Sequence, residues 1–184
     1  TTGSGLTEDR HSLYSMDFDG TAYINAGVVP ALNTVTQFSI SCWCRFDNTS
    51  RLEAIVSNGG DVSNYNFLLQ HWPSSNVSFF IASSLTDSGN NYVKTSNNFI
   101  TSTTDFYNIV VVYDGSLSTN ILKAKIYVNG VDVTVNGGGT IPTSTTNTTG
   151  TFNIGEWENI GRFFDGQIDE VAIFNRALDS TEIA

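Results

Sequence analysis

FFDGQIDEVAIFNRALDSTEIA, residues 163–184, ends the chain and predicts a β-strand that runs into a short helix. The strand is apolar, yet it contains two adjacent carboxylates, Asp169 and Glu170. Asp179 precedes the last turn and Glu182 follows three residues later, which is the spacing of a helix capping box. The two strand carboxylates leave three interpretations open: a catalytic pair, a metal ligand beside a solvent-facing neighbour, or surface residues without a special role.

Apolar and polar residues alternate with a period of two over much of the chain, as in a half-buried strand. In QFSISCWCRFD, residues 37–47, the inward row would be Phe38, Ile40, Cys42, Cys44 and Phe46. Asn129-Gly130 predicts a hairpin, because both residue types tolerate positive φ. Further strands are predicted near 13–18, 22–26, 52–57, 65–71, 77–82, 91–95, 151–155 and 165–174. These strands and the single tail helix predict an all-β, two-sheet antiparallel sandwich.

Two cysteines, Cys42 and Cys44, lie two residues apart on one predicted strand. Such residues share a face with their Cα atoms about 6.5–7 Å apart, which is the outer limit for a disulfide. We therefore favour two free, buried thiols. The two histidines, His11 and His71, do not plausibly complete a zinc site with them.

Composition narrows the possible partners. The net charge is −10 with only 8 Lys and Arg, which argues against nucleic acid and fits a cation or a neutral, hydroxyl-rich ligand. No apolar run is long enough to insert into a membrane. Only 14% of residues are charged, so Ser, Thr, Asn and Gly build the surface, as in extracellular or virion-exposed β proteins.

The length of 184 residues predicts a single sandwich domain over 13–184. The opening TTGSG predicts a linker or N-terminal extension over 1–12, so the chain is expected to be a piece of a larger protein. NGGGTIPTSTTNTTG, residues 136–150, predicts a mobile surface loop.

Several motifs resemble one family in the expected order. MDFDGTAYINAG (16–27), QFSISCWCRFD (37–47), FYNIVVVYDG (106–115), KIYVNGVDV (125–133), FNIGEW (152–157) and the ending resemble laminin G-like domains of the concanavalin A-like lectin and glucanase superfamily. The resemblance implies a jelly-roll sandwich with a short C-terminal helix, in which the first and last strands lie side by side.

Catalysis is not expected. Glucanases of this superfamily carry Glu-x-Asp-x-Glu on one strand, so that two carboxylates share a face. Here Gln167 and Val171 flank Asp169, while the adjacent Asp169 and Glu170 point to opposite faces. Glu156 and Glu158 lack an intervening Asp and lie in a Gly-flanked loop. The chain is therefore predicted not to be an enzyme.

A structural calcium is implied by the resemblance, since such an ion often joins the first and last strands of the family. Asp169 would supply a side-chain oxygen, and the turn at Asp19 and Gly20 would supply others. The alternative is that Asp19 caps a turn and Asp169 accepts backbone hydrogen bonds, with no ion. Glu170 is expected to face solvent or to pair with Arg176.

Sugar recognition combines an aromatic ring with polar hydrogen-bonding side chains. Trp72 precedes a proline and is the best exposed candidate, followed by Tyr65, Tyr92 and Trp157, with His71 and Asn66 as polar partners. Trp157 could equally be packed, and Trp43 is either an aromatic platform or packed under a loop.

Two functional hypotheses remain open. The first is a non-catalytic carbohydrate-binding or adhesion module of an extracellular or surface protein, stabilised by structural calcium, with a glycan or cell-surface polysaccharide as partner. The second is a structural module of a virion or surface assembly, a decoration or fibre protein that binds virion subunits or other domains of a larger protein. Fold alone does not decide between them.

Overall fold

Strands form where the sequence alternates and account for most of the regular structure. The computed structural model describes residues 14–59, 65–82, 91–157 and 160–184. Its strands β1 to β13 span Met16–Asp19, Ile24–Asn25, Gln37–Phe46, Glu53–Gly59, Tyr65–Trp72, Asn76–Ile81, Tyr92–Lys94, Tyr107–Asp114, Ala124–Val128, Val131–Asp132, Val135–Gly138, Phe152–Ile154 and Asp165–Phe174. The helices α1 and α2 span Asn120–Lys123 and Ser180–Ile183, and a 3₁₀ turn spans Pro30–Leu32.

The strands form two sheets that pack as a sandwich. The six-stranded sheet has the order β1-β13-β3-β8-β9-β10, and the seven-stranded sheet has the order β11-β7-β6-β5-β4-β12-β2. Neighbouring strands in the described residues pair antiparallel. The predicted all-β, two-sheet sandwich with a short C-terminal helix is confirmed. In the described part of the chain, no helix is long and apolar enough to cross a membrane.

The core lies between the sheets and is built from the inward rows that alternation predicts. Phe38 of β3 stacks on Phe67 of β5, with ring centroids 4.9 Å apart, and so joins the two sheets at their centre. Cys42 and Cys44 are buried, free thiols whose sulfurs lie 3.6 Å apart, well beyond the about 2.05 Å of a disulfide. The predicted free thiols are therefore confirmed.

The first and last strands pair side by side, as expected. The register of β1 on β13 matches Met16 with Ile168 and Asp19 with Asp165. The predicted cap of α2 is also present, because Asp179 and Glu182 form a complete capping box. At the predicted hairpin, Asn129 and Gly130 both have positive φ, 52° and 78°.

Residues 136–150 differ from the predicted surface loop. Val135–Gly138 forms β11, which pairs with β7 at the edge of the seven-stranded sheet. Ile141 is fully buried in the core, and Thr145 Oγ1 donates to the carbonyl of Leu32 at 2.7 Å. The isolated Ile in a Thr-rich run anchors this segment to the sandwich. The predicted linker over 1–12 lies outside the described residues.

Candidate functional site

The outer face of the seven-stranded sheet carries a row of side chains that the core does not use. In β5, Phe67 and Leu69 face the core, so Leu68, Gln70 and Trp72 point away from it. The neighbouring strand β6 places its own outer residues opposite them, with the pairs Leu68–Phe80, Gln70–Ser78 and Trp72–Asn76. In β7, Tyr92 pairs with Phe80 and Lys94 pairs with Ser78.

Two of the sequence-predicted ligand residues, Trp72 and Tyr92, meet on this face. They border a cleft of about 230 Å³, and its described lining is Trp72, Ser74, Asn76, Ser78, Tyr92, Lys94 and Asn97. Phe80 lies between the two rings, stacked on Tyr92 with centroids 4.6 Å apart and 6.5 Å from Trp72. A Cβ on Gly137 would lie 2.2 Å from Tyr92 Cδ2, so the Tyr92 ring rests on the β11 backbone. Phe80 and Gly137 thus hold that ring in place.

The polar side of the cleft combines a fixed amide network with a free cation. Asn76 Nδ2 donates to Ser74 Oγ and, at 3.3 Å, to Asn97 Oδ1, while Ser78 Oγ donates to Asn76 Oδ1 at 3.0 Å. Lys94 is half-buried, and its ammonium makes no hydrogen bond or ion pair within the described residues. Among the described lining residues it supplies the one charge, and none of them is a carboxylate.

Tyr65 and Trp157, two further predicted ligand residues, lie on the same sheet but pack against each other. Their ring centroids are 5.7 Å apart, and they are only 1% and 5% exposed. The guanidinium of Arg162 lies 4.7 Å over the Trp157 ring and donates to Gln70 at 2.9 Å. The β4–β5 register shift leaves Asn66 as an extra residue and turns Tyr65 toward this cluster. A ligand could reach these rings only after rearrangement.

Asn66 and His71, the predicted polar partners, are both buried away from the cleft. Asn66 joins a network in which its Nδ2 donates to Asn33 Oδ1 at 2.8 Å and its Oδ1 accepts from Thr146. His71 faces the core, with its ring 4.7 Å from that of Phe46. These two residues support the fold and do not line the site.

His71 forms a buried polar pair with Glu53, which the sequence pattern did not predict. It pairs across the sheet with Glu53, and both side chains are fully buried. Burial lowers the pKa of His71 to about 4, although its Nδ1 lies 3.1 Å from the Arg51 carbonyl. Burial also raises the pKa of Glu53 to about 7, against the opposing charge of Arg51, whose Nε is 3.7 Å away. Burial therefore favours the neutral form of both groups.

The residues of the predicted calcium site are not brought together. Asp19 is paired with Asp165, so Asp169 lies four residues further along β13, about 13 Å away along the ladder. Arg51 occupies the position beside Asp165: its Nη1 donates to Asp165 Oδ2 at 2.6 Å, and a Cβ on Gly20 would lie 3.0 Å from the same nitrogen. In the described residues, no three His, Cys, Asp or Glu side chains are placed to hold a metal.

Asp19 and Asp169 make the hydrogen bonds of the alternative interpretation, in which Asp19 caps a turn and Asp169 accepts from the backbone. Asp19 Oδ1 accepts hydrogen bonds from Thr21 Oγ1 at 2.7 Å and from the backbone N–H groups of Thr21 and Ala22. The Thr21 hydroxyl and these amides lower the pKa of Asp19. Asp169 Oδ1 accepts from the Glu170 N–H at 2.8 Å at a bulge of β13. Arg176 pairs with Glu182 at 2.6 Å.

Among the described residues, the carboxylates considered for catalysis do not line the cleft. Gln167 and Asp169 pair with Arg45 and Trp43 of β3, on the other sheet. Glu156 is buried beyond the end of β12. Glu158 and His11 lie outside the described residues.

The sequence analysis missed the cleft residues Ser74, Asn76, Ser78, Phe80, Lys94 and Asn97. Lys94 could have been found from alternation alone, because it follows the predicted ligand residue Tyr92 at a spacing of two on the predicted strand 91–95. Knowing that β6 lies between β5 and β7 was needed to place them together. Strand order is a long-range property that a local pattern does not contain.

Similar proteins share this fold. Residues 18–184 match the sequence profile of the Concanavalin A-like lectin/glucanases superfamily. A search of curated proteins finds no match. The SAP-like pentraxin of Limulus polyphemus superposes with a TM-score of 0.67 and 14% identity over 92% of this chain and 79% of that one.

Two sugar-bound domains also superpose on this chain. The CBM40 of the Ruminococcus gnavus IT-sialidase, bound to α2,3-sialyllactose, gives a TM-score of 0.70 and 12% identity over 92% of this chain and 94% of that one. Domain 4 of AbnA, an extracellular arabinanase of Geobacillus stearothermophilus, in complex with arabinotriose, gives 0.63 and 19% over 92% of this chain and 74% of that one. The match over residues 18–184 and the paired first and last strands lead to one conclusion. The chain belongs to the Concanavalin A-like lectin/glucanases superfamily.

Proposed function

We propose that this domain is a non-catalytic carbohydrate-binding module whose ligand enters the cleft between Trp72 and Tyr92. One observation carries the proposal: two aromatic rings and an amide network border the same open cleft on the outer face of a sheet. The apolar face of a pyranose packs on an aromatic ring, while its hydroxyl groups need donors and acceptors beside that ring. Trp72 and Tyr92 supply the rings, and Asn76 and Asn97 supply the amides.

The residues that line the Trp72–Tyr92 cleft also favour binding without catalysis. Glycoside hydrolysis by the common mechanism needs two carboxyl groups on either side of the bond. No carboxylate is present among the described lining residues. Asp169, the residue that a glucanase-like motif would use, lies on the opposite sheet. The described lining therefore has the groups to bind a sugar and offers neither the acid nor the nucleophile that would cleave it.

The superposed neighbours support this proposal through their bound sugars. The Ruminococcus gnavus domain holds sialyllactose and the Geobacillus stearothermophilus domain holds arabinotriose. Their sequences are only 12% and 19% identical to this chain, so the superposition shows a shared fold and does not identify the ligand. The ligand must therefore be inferred from the residues of this cleft. A glycan ligand and the sparsely charged surface together favour an extracellular or surface-exposed protein.

Lys94 favours a sugar that carries a carboxylate. Lys94 is half-buried and lines the same cleft as the two rings, and its ammonium makes no hydrogen bond or ion pair within the described residues of a protein of net charge −10. A charge-assisted hydrogen bond in such a position contributes about 1.5–3 kcal/mol, more than a neutral one. The proposed ligand therefore presents a ring face to Trp72 and a carboxylate to Lys94, as a sialic or uronic acid can.

A glycan array followed by titration calorimetry tests the site. Wild-type protein is expected to bind a subset of glycans, and Trp72→Ala should weaken that binding by on the order of tenfold or more. Tyr23→Ala is the matched control, because Tyr23 is an exposed aromatic outside the cleft. Silence across the array, or equal affinity for Trp72→Ala and wild type, would overturn the proposal.

The ligand charge is tested separately. Lys94→Gln should lower the affinity for an acidic glycan by about tenfold and leave the affinity for its neutral reduced analogue unchanged. Lys125→Gln removes the same charge from the other sheet, where Lys125 pairs with Asp132 at 2.7 Å, and should have no effect. Equal losses for both variants would show a general charge effect and contradict a contact by Lys94.

A further inference from the structure

A second groove lies on the opposite side of the sandwich, on the outer face of the six-stranded sheet. It encloses about 260 Å³ between β3, β8 and the end of α2, and Trp43 lines it together with Ser41 and Asn108. Trp43 pairs with Asn108 of β8 on one side and with Asp169 of β13 on the other. This groove shares no residue with the Trp72–Tyr92 cleft.

The groove exists because α2 covers only part of the sheet. Ile183 is the buried residue of this single-turn helix, and it packs on Val110 and Val112 of β8. The end of the helix packs against the Asn129-Gly130 hairpin turn, since a Cβ on Gly130 would lie 3.5 Å from the Cα of Ala184. The apolar contact holds the helix in place and leaves the polar strip beside Trp43 uncovered.

Four polar side-chain groups along this strip are open to the groove. The Ser41 hydroxyl, Trp43 Nε1, the Asn108 side-chain amide and Asn129 Nδ2 make no hydrogen bond within the described residues. Ser39, two residues earlier on the same face, is fully used: its Oγ donates to the Arg176 carbonyl at 2.9 Å and accepts from the Leu178 N–H at 3.0 Å. None of these atoms is among the buried atoms that lack a partner, so each is open to the groove and can exchange water for a polar ligand without breaking a hydrogen bond of the protein.

The chemistry of the lining specifies that partner. Hydroxyl and amide groups beside an indole suit a small polyhydroxylated molecule. A neutral ligand is favoured over an anion, because no Lys or Arg is among the described lining residues, Asp169 lies beside Trp43, and the charge of Glu182 is already paired with Arg176 at 2.6 Å. The nearest cation of β3, Arg45, is already paired with Asp47 at 2.9 Å. The volume admits about one sugar residue.

We propose that the Trp43 groove is a second ligand site, which takes one neutral sugar residue through Trp43, Ser41 and Asn108. The inference stands apart from the proposed function, because it concerns another face and a ligand without charge. A ligand of this size is expected to bind with a Kd of about 1 mM. A domain with both sites would hold two glycan ends on opposite faces, and its avidity would exceed that of either site.

Indole resonances in a ¹H–¹⁵N spectrum test the site directly. The chain has three tryptophans, at 43, 72 and 157, so each Nε1–H signal can be assigned from a Trp→Phe variant. Trp72→Ala protein is titrated with methyl glycosides of glucose, galactose, mannose, fucose and N-acetylglucosamine to about 50 mM, well above the expected Kd. At least one glycoside is expected to shift the Trp43 signal and leave Trp157 unchanged.

Three variants decide whether the assigned contacts are correct. Ser41→Ala and Asn108→Ala remove groups that make no hydrogen bond in the protein, so they should keep the fold and lose the shift. Ser39→Ala, the control on the same strand, should lower the melting temperature and keep the shift. No Trp43 shift with any glycoside, or a shift that survives in Asn108→Ala, would overturn the proposal. A loss of array binding in Trp72→Ala with an intact Trp43 shift would leave both sites standing.

Discussion

Glu53→Gln is expected to reveal a pH dependence of stability that the wild-type protein conceals. Glu53 and His71 face each other across β4 and β5, both fully buried, and burial shifts their pKa values in opposite directions. The pKa of Glu53 is raised to about 7 and that of His71 is lowered to about 4. Over the same pH range, the ionisation of Glu53 lowers the free energy of unfolding as the pH rises, and the deprotonation of His71 raises it.

The signs follow from the neutral forms that the fold prefers. Glu53 stabilises the folded state most below its unfolded pKa, 4.5, and this contribution is lost as the pH rises through about 7. His71 stabilises it most above its unfolded pKa, 6.5, and this contribution is lost as the pH falls through about 4. Each contribution changes by about 1.4 kcal/mol per pH unit where the group titrates.

Between pH 4.5 and 6.5 the two contributions change by about 2 kcal/mol each and cancel, so wild-type stability should be nearly flat there. Glu53→Gln keeps the size of the side chain and removes its titration. The free energy of unfolding of this variant should then rise by about 2 kcal/mol from pH 4.5 to 6.5. His71→Gln should show the opposite slope, with stability falling by a similar amount.

Urea denaturation followed by tryptophan fluorescence at five pH values measures these slopes. The ions around Glu53 are Arg51, Asp47 and Asp165, and none of these positions is changed in either variant. A flat profile for Glu53→Gln, or slopes of the same sign for the two variants, would refute the neutral pair. A melting temperature that differs by about 4–8 °C across the range is the corresponding thermal signal.

Three further predictions concern the cleft, the tail helix and calcium. Gly137→Ala should weaken glycan binding and lower stability by about 1–3 kcal/mol, because its Cβ would displace the Tyr92 ring; calorimetry with unchanged affinity would contradict the role of Tyr92. Asp179→Ala removes the cap of α2 and should cost about 1 kcal/mol in urea denaturation, whereas no loss would mean that the helix is held by Ile183 alone. A structural calcium would need ligands other than the separated Asp19 and Asp169, so we expect calcium to raise the melting temperature and a chelator to lower it equally in wild type and Asp169→Asn; no change with either would remove the structural ion.

Local patterns predicted the strands because each strand buries one of its own faces. The inward row of β3 and the hairpin at Asn129-Gly130 depend only on neighbouring residues, and both are as predicted. Trp72 was predicted to be accessible because Pro73 ends the strand there, and it lines the cleft. Information carried by adjacent residues was sufficient in each of these cases.

Side-chain roles that depend on distant partners could not be predicted in the same way. Tyr65 faces the outer cluster, where it is buried against Trp157, because a register shift at Asn66 turns it there, and nothing in the sequence marks that shift. Asp19 faces Asp165 and not Asp169, because β1 and β13 are not joined by a turn that would fix their register. His71 is different: its alternation with Phe67 and Leu69 already pointed it into the core.

The charge of the whole protein limits which acidic ligand Lys94 can serve. With 18 acidic and 8 basic residues, the domain repels a long polyanion as that polymer approaches. The hydrogen bond from Lys94 is a contact over a few ångströms, whereas the repulsion by the net charge of the protein extends over about 8 Å at physiological salt. A single terminal acid meets the full local attraction and little of the repulsion, since its neutral neighbours carry no charge. The cleft chemistry and the net charge together therefore favour one acidic sugar at the end of a neutral glycan over an acidic polysaccharide.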